Sequence, residues 1–206
     1  MNVHYIKECI VQISLRMYKE KLVSGTSGNV SEFDREKGII AITPTGMNYH
    51  LMKSEDIVLI DLNGTVCEGN YKPSSEWRLH AEIYKAFANV NALIHTHSPY
   101  ATAFAVLHET IPLVLTEMQQ FFGGGIPLAE YAAPGSPQLG INAVKAMKSR
   151  NPESPCCLLA NHGVVVTGTT LEEAWLRASY AEDAARVYHL ARQIGKAMVL
   201  SGNPSD

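Results

Sequence analysis

KPSSEWRLHAEIYKAFANVNALIHTHSP, residues 72–99, holds the transitions that decide the architecture. It opens as a polar loop. Leu79, Ile83 and Phe87 then recur at helical spacing, so residues 72–90 predict a loop entering a helix. Ser74 and Ser75 stand where N-caps belong, with Glu76 in the first turn. Ala92–His97 is short and mostly apolar, which predicts a strand, and Pro99–Leu107 predicts a helix.

Working outward, Ile6, Ile10, Ile13 and Met17 place an amphipathic helix over residues 3–22. SGTSGN (24–29) and TPTG (43–46) are clusters of turn formers. Val30–Phe33, Gly38–Thr43 and Ile57–Asp61 predict strands, and DLNGT (61–65) carries the Asn-Gly pair of a tight hairpin. Residues 111–133 show only short apolar runs around Gly123, Gly124 and Gly125. Gln138–Arg150 predicts a helix, and Cys156–Ala160 and Val164–Thr167 predict strands. Leu171–Met198 predicts a long helix opened by Thr169 or Thr170, with Glu172 and Glu173 behind it. Helices and strands alternate without a regular βαβ rhythm. The expected architecture is α/β, a mixed sheet flanked by helices, in one domain spanning residues 1–206.

The chain has 206 residues, 46% of them hydrophobic, enough for an ordinary core. Its net charge is −3 and it has no basic block or stripe, which argues against a nucleic-acid partner. No apolar run reaches the ~18 residues of a membrane span. Charged residues interrupt the first twenty positions, so no signal peptide is expected there. A cytoplasmic protein is the expectation. Cys9, Cys67, Cys156 and Cys157 form no CxxC pair and read as buried reduced thiols. Cys156 and Cys157 should point to opposite faces of their strand.

His95 and His97 form an His-x-His pair at a strand end, and i and i+2 side chains share one face. A metal chelate needs this pairing, and His162, at the end of another apolar strand in LLANHGVVV, offers a third nitrogen. Alone, His162 reads more readily as a structural histidine, and the His-x-His pair is evenly balanced between structural and ligating. His80 lies four residues after Glu76 on one helical face, where it can support the site. Glu76 fits two roles, complement to a helix dipole or general base near a metal. Thr26-Ser27-Gly28-Asn29, Thr45-Gly46 and Ser74-Ser75 offer backbone N–H groups and small polar side chains suited to an anion. No GxxxxGK[ST] is present, which argues against a P-loop nucleotide site.

The ordered set SGTSGN, ITPTG, KPSSEWRLH, HTH and NHG resembles the class II (zinc-dependent) aldolase and adducin family over residues 5–190. Within it, the PSSEWR-x-H run is most similar to the members acting on L-fuculose 1-phosphate. The resemblance implies an α/β/α sandwich with a mostly antiparallel sheet. It implies a homotetramer with active sites at subunit interfaces, and one Zn2+ per subunit held by His95, His97 and His162. Glu76 becomes the base, which also touches the ion. Gly28, Asn29, Thr45, Gly46, Ser74 and Ser75 become the pocket for the phosphate of a small sugar. The implied reaction is reversible cleavage of a ketose 1-phosphate, L-fuculose 1-phosphate the leading candidate, to dihydroxyacetone phosphate and an aldehyde.

Two departures stand out. Glu117, in LVLTEMQQFFGG (113–124), occupies the place of a tyrosine that reaches in from a neighbouring subunit in the fuculose-phosphate members. A second tyrosine near a longer C-terminus has no counterpart before the final SGNPSD. Glu117 thus reads either as an acid–base group or as a surface carboxylate. The first role would be similar to that in methylthioribulose-1-phosphate dehydratases. Decarboxylase, epimerase and noncatalytic adducin-like members are the remaining alternatives.

Overall fold

The computed structural model describes residues 3–150 and 155–201. Its elements run α1 (Val3–Lys19), β1 (Asn29–Asp34), β2 (Ile39–Ile42), β3 (Val58–Asp61), β4 (Val66–Glu68), α2 (Trp77–Ala86), β5 (Ala92–Thr96), α3 (Pro99–Leu107), α4 (Thr116–Phe122), β6 (Leu128–Ala129), α5 (Pro137–Lys148), β7 (Cys156–Leu159), β8 (Gly163–Gly168) and α6 (Leu171–Ile194). The strands form one sheet in the order β4-β3-β2-β1-β5-β8-β7-β6. Every pairing is antiparallel except β6 with β7.

Most strands are apolar runs, so the sheet packs against helices on both faces, with β1 and the exposed β4 the polar exceptions. Alternate residues divide between two cores. Val30, Ala41, Ile94, Cys156 and Val166 meet α1, α3, α4 and α6 on one face. Phe33, Ile40, Leu93, Cys157 and Val165 meet α2 and α5 on the other. The adjacent cysteines therefore do point to opposite faces, and all four thiols are free; Cys156 and Cys157 are buried as expected, whereas Cys9 is half-buried and Cys67 is exposed. Side chains as completely buried as Ile10, Met17, Leu79 and Ile83 each contribute about 1.5–3 kcal/mol relative to exposure.

Several expected boundaries shift. Helix α2 begins at Trp77, so Glu76 itself is the N-cap, with φ −98° and ψ 14° and no side-chain cap bond. Ser74 is not the cap. Its Oγ accepts from the Glu76 N–H at 3.3 Å in the preceding turn. Strand β5 ends at Thr96, leaving His97 just outside it. Helix α6 stops at Ile194, short of Met198, because the chain turns extended at Gly195. Its N-cap is Thr170, whose side chain accepts from the Glu173 N–H. Helix α4 and strand β6 had no sequence counterpart. Helix α4 has Leu115 at its N-cap and a left-handed Gly123 at its end, so only the C-terminal stop is written in residue types. The expected Asn-Gly hairpin joins β3 and β4.

Candidate active site

Strands β5 and β8 are hydrogen-bonded neighbours, with His95 opposite Val165 and Thr96 opposite Val164. His95 sits on the same face as Leu93, toward α2. The β7–β8 turn brings His162 back over the end of β5. Gly163 is required there: a Cβ would lie 2.3 Å from the Thr96 carbonyl oxygen, 3.1 Å from His95 and 3.2 Å from His97. Gly28 is equally constrained. Its φ is +80°, and a Cβ would approach the His95 carbonyl oxygen to 2.7 Å. The glycine of NHG and that of SGTSGN thus let two turns close upon the His-x-His segment.

Three imidazoles converge. His95 Nε2 lies 3.0 Å from His97 Nε2 and 3.3 Å from His162 Nε2. The Glu76 carboxylate lies against the same point, Oε2 at 3.3 Å from His95 Nε2 and Oε1 at 3.3 Å from His162 Nε2. His95 Nδ1–H donates to the Val164 carbonyl at 3.0 Å, which leaves Nε2 bare in the neutral ring. His95 is driven down to about 4, first by burial and then by the neighbouring histidines, with Glu76 opposing. His97 is lowered for the same reason. The bare Nε2 of His95 therefore faces two further imidazole nitrogens and a carboxylate, a donor set suited to a cation.

Four donors around an ion at ~2.0–2.1 Å in a tetrahedron stand ~3.3 Å apart; the separations of His95 from His97, His162 and Glu76 and of His162 from Glu76, 3.0–3.3 Å, match this, and the three imidazole nitrogens lie within 4.8 Å of one another. The three histidines are the cluster able to hold a metal among the described residues, and Glu76 Oε1 is buried without a hydrogen-bond partner.

Glu76 is 6% exposed. Burial alone would raise its pKa, yet attraction to His95 and His162 and the bond from Asn29 together hold it below the ordinary carboxylate range. The side chain does not stabilise the helix start as a cap. It turns into the cluster, where Asn29 Nδ2–H donates to Oε2 at 2.9 Å.

The cluster floors a cleft of about 290 Å³. Thr26, Ser27, Gly28, Thr45, Gly46, Ser74 and Ser75 line it together with Asn29, Glu76, His97 and His162. All three polar turns thus meet beside the histidine cluster. No lysine or arginine lines the cleft. Pro44, from the TPTG turn, and Pro134, which had given no signal in the sequence, also line it. Asn29 differs from its expected setting: it is 3% exposed and its side chain is spent on Glu76 and His80. Glu117 does not reach this cleft. It is exposed on the first turn of α4 and accepts from Thr116 Oγ1 at 3.1 Å. His80 supports Glu76 through Asn29 and makes no direct hydrogen bond to it.

The sequence model of the class II aldolase and adducin N-terminal domain matches residues 8–189. The chain belongs to the class II aldolase family.

Among curated relatives, the class II aldolase described as a 5-deoxy-D-ribulose 1-phosphate aldolase, from Bacillus thuringiensis serovar kurstaki (strain ATCC 35866 / NRRL B-4488 / HD73), is 38% identical over 194 residues, 94% of this chain and 89% of its own. A solved L-fuculose 1-phosphate aldolase superposes with a TM-score of 0.90 at 38% identity, over 96% of this chain and 91% of the other. A Thermus thermophilus l-fuculose-1-phosphate aldolase shares the fold at TM-score 0.79 and 22% identity, over 94% of this chain and 98% of its own. The α/β/α class II aldolase fold and the lyase class are thereby established for this chain.

Proposed function

We propose that this class II aldolase is a zinc enzyme that reversibly cleaves a ketose 1-phosphate of the L-fuculose 1-phosphate kind to dihydroxyacetone phosphate and an aldehyde. The observation that carries the reading is the meeting of three imidazole nitrogens, one ionised carboxylate and three small-residue turns at one cleft. Both relatives at 38% identity are named for a ketose 1-phosphate. His95, His97 and His162 would hold the ion, with Glu76 completing its surroundings when no substrate is present. Zinc is favoured over harder ions by this nitrogen-rich set. When bound, it supplies a Lewis acid for the negative charge that develops on the substrate oxygens.

The residues of the chain account for the rest. Backbone N–H groups and hydroxyls of Gly28, Thr45, Gly46, Ser74 and Ser75 surround a single phosphate. A cleft of about 290 Å³ suits one phosphate and a three-carbon fragment, with the aldehyde part lying toward its mouth. Glu76, an ionised carboxylate, takes the proton from the carbon beside the carbonyl in the synthetic direction. In cleavage it returns that proton once the carbon–carbon bond has broken. Its free oxygen, Oε1, faces the imidazoles.

The hydroxyl next to the scissile bond needs its own acid–base group. Glu117, exposed and away from its own chain's cleft, would serve a neighbouring subunit of a homotetramer. The buried reduced cysteines suit a cytoplasmic setting.

The test is exchange of the carbon-bound proton of dihydroxyacetone phosphate in heavy water by zinc-loaded protein, followed by NMR, with L-fuculose 1-phosphate and 5-deoxy-D-ribulose 1-phosphate then assayed for cleavage. Stereospecific exchange that chelation abolishes supports the reading. Zinc-loaded protein without exchange refutes it and turns attention to elimination or epimerisation with Glu117. Mixing Glu76→Gln with Glu117→Gln subunits should restore part of the activity that each lacks alone. No recovery from co-assembled subunits would remove Glu117 from the neighbouring site.

A further inference from the structure

Strand β1 and helix α2 face each other with matched polar periods. Asn29, Ser31 and Phe33 share one face of β1, and Glu76, His80 and Tyr84 recur every four residues on α2. Two strand residues advance about 6.6–6.8 Å and four helical residues about 6.0 Å, so the two rows stay in step. They make a continuous chain of contacts. Tyr84 Oη is 2.7 Å from Ser31 Oγ, Ser31 Oγ is 2.5 Å from His80 Nδ1, and His80 Nε2 is 2.5 Å from Asn29 Oδ1. Asn29 Nδ2 then reaches Glu76 Oε2 at 2.9 Å. Ser31 and His80 are 0% exposed and Tyr84 is 1% exposed, so the chain lies away from bulk solvent.

The proton inventory allows one direction. An ionised carboxylate only accepts, so the Asn29 amide must present its NH2 to Glu76. Its carbonyl then faces His80 and needs a donor, which fixes the ring proton on Nε2. The fully buried neutral ring has a lone pair on Nδ1, which accepts from the Ser31 hydroxyl. With the Ser31 proton committed to His80, the Tyr84 hydroxyl is the donor at Ser31, its one hydrogen shared between Oγ at 2.7 Å and the carbonyl oxygen at 3.0 Å. Turning the Asn29 amide over would set its carbonyl against the carboxylate and leave His80 facing an NH2. Each bond thus enforces the next.

We propose that Tyr84, Ser31, His80 and Asn29 are positioning residues that form a one-way hydrogen-bond chain onto Glu76, binding Oε2 and leaving Oε1 as the oxygen that exchanges the substrate proton. The inference deepens the assignment of Glu76 as base and rests on it. Its chain direction, however, is a property of the protein that can be read without substrate or metal.

The first measurement is the His80 tautomer in the full-length metal-free protein, labelled with 15N at histidine and followed by long-range proton–nitrogen correlation, the His80 signals assigned by their loss in His80→Gln. A proton on Nε2 is expected. A proton on Nδ1 reverses the chain and overturns the inference, whatever the activity.

The second measurement is proton exchange on dihydroxyacetone phosphate. His80→Gln keeps an N–H toward Asn29 and should retain most of the exchange. His80→Leu should lower kcat for exchange by about 10–100-fold, with KM for dihydroxyacetone phosphate and zinc content unchanged. Ser31→Ala, a smaller change should His80→Leu not fold, should lower kcat several-fold in the same pattern. Exchange at the wild-type rate in the folded variants overturns the positioning role. Absence of exchange in the wild type instead counts against Glu76 as base, while the tautomer result stands on its own.

Discussion

Strand β1 borders two carboxylates, one buried and one half-buried. On its α2 side, Asn29 donates to Glu76 amid three imidazoles. On its α1 side, Glu32 opens into a groove of about 360 Å³ lined by Tyr5, Cys9, Gln12, Ile13, Thr170, Leu171 and Glu172. Burial pushes both carboxyl groups up. Glu76 nevertheless ends below the ordinary range, because imidazoles and an amide N–H face it. Glu32 ends at about 7, through burial first and then Asp34 beside it. Among the described residues no donor reaches the Glu32 carboxylate. The lesson is that desolvation sets the size of the problem and the partners set its sign.

The largest effects should come from dismantling the Glu76 side. His95→Ala removes the most buried nitrogen of the cluster. Zinc affinity should fall by more than about 10²-fold, since even supporting residues of metal sites are worth about 10–100-fold, and turnover should vanish with it. Zinc content after gel filtration and the cleavage rate check this. Glu76→Gln keeps the shape of the side chain and removes its charge. Exchange should drop by about 10²–10⁴-fold, the range for a positioned acid–base group, with zinc retained. Wild-type exchange in Glu76→Gln would end its role as base.

A smaller effect concerns the turn that delivers His162. Gly163→Ala places a methyl group 2.3 Å from the Thr96 carbonyl oxygen, a backbone atom that cannot step aside. The expected loss is about 1–3 kcal/mol, seen as a Tm lower by several degrees, since a chain this size shifts about 2–4 °C per kcal/mol. Zinc affinity should fall as well, because β5 and β8 must part to admit the methyl group. An unchanged Tm would show that the NHG turn has slack.

Much of this was legible in the residues. The continuous apolar strands, the alternating side preference of Cys156 and Cys157, the His-x-His pair and the three polar turns all follow from period and turn chemistry. Helix α4 and strand β6 were not legible. A helix of seven residues with Leu115 at its N-cap offers no start signal, and a two-residue strand exists only because β7 lies beside it. The role of Asn29 was also hidden. In sequence it belongs to a glycine-rich turn. Only the pairing of Asn29 with His95 across β1 and β5, with α2 packed above, turns its amide toward Glu76. Ser31 and Tyr84 gave no signal alone. Their meaning lies in two different periods, of two and of four residues, running in step.

The smallest effect sharpens the comparison from the Glu32 side. Its folded pKa of about 7 stands above the ordinary 4.5, so the folded state binds the proton more tightly than the unfolded chain does. Below about pH 4.5 both states are protonated and Glu32 makes no difference. As pH rises through the window from 4.5 to 7, the unfolded chain ionises freely while the folded one resists, and stability falls. Glu32→Gln removes that dependence. At pH 8 the variant should be more stable by on the order of 1 kcal/mol, once solvent screening of a half-buried group is allowed for. At pH 4.5 it should match the wild type. Urea unfolding at the two pH values measures the difference directly. A variant equally stable at both, or less stable at pH 8, would mean that Glu32 finds a cationic partner in the assembled protein, and the contrast with Glu76 would then disappear.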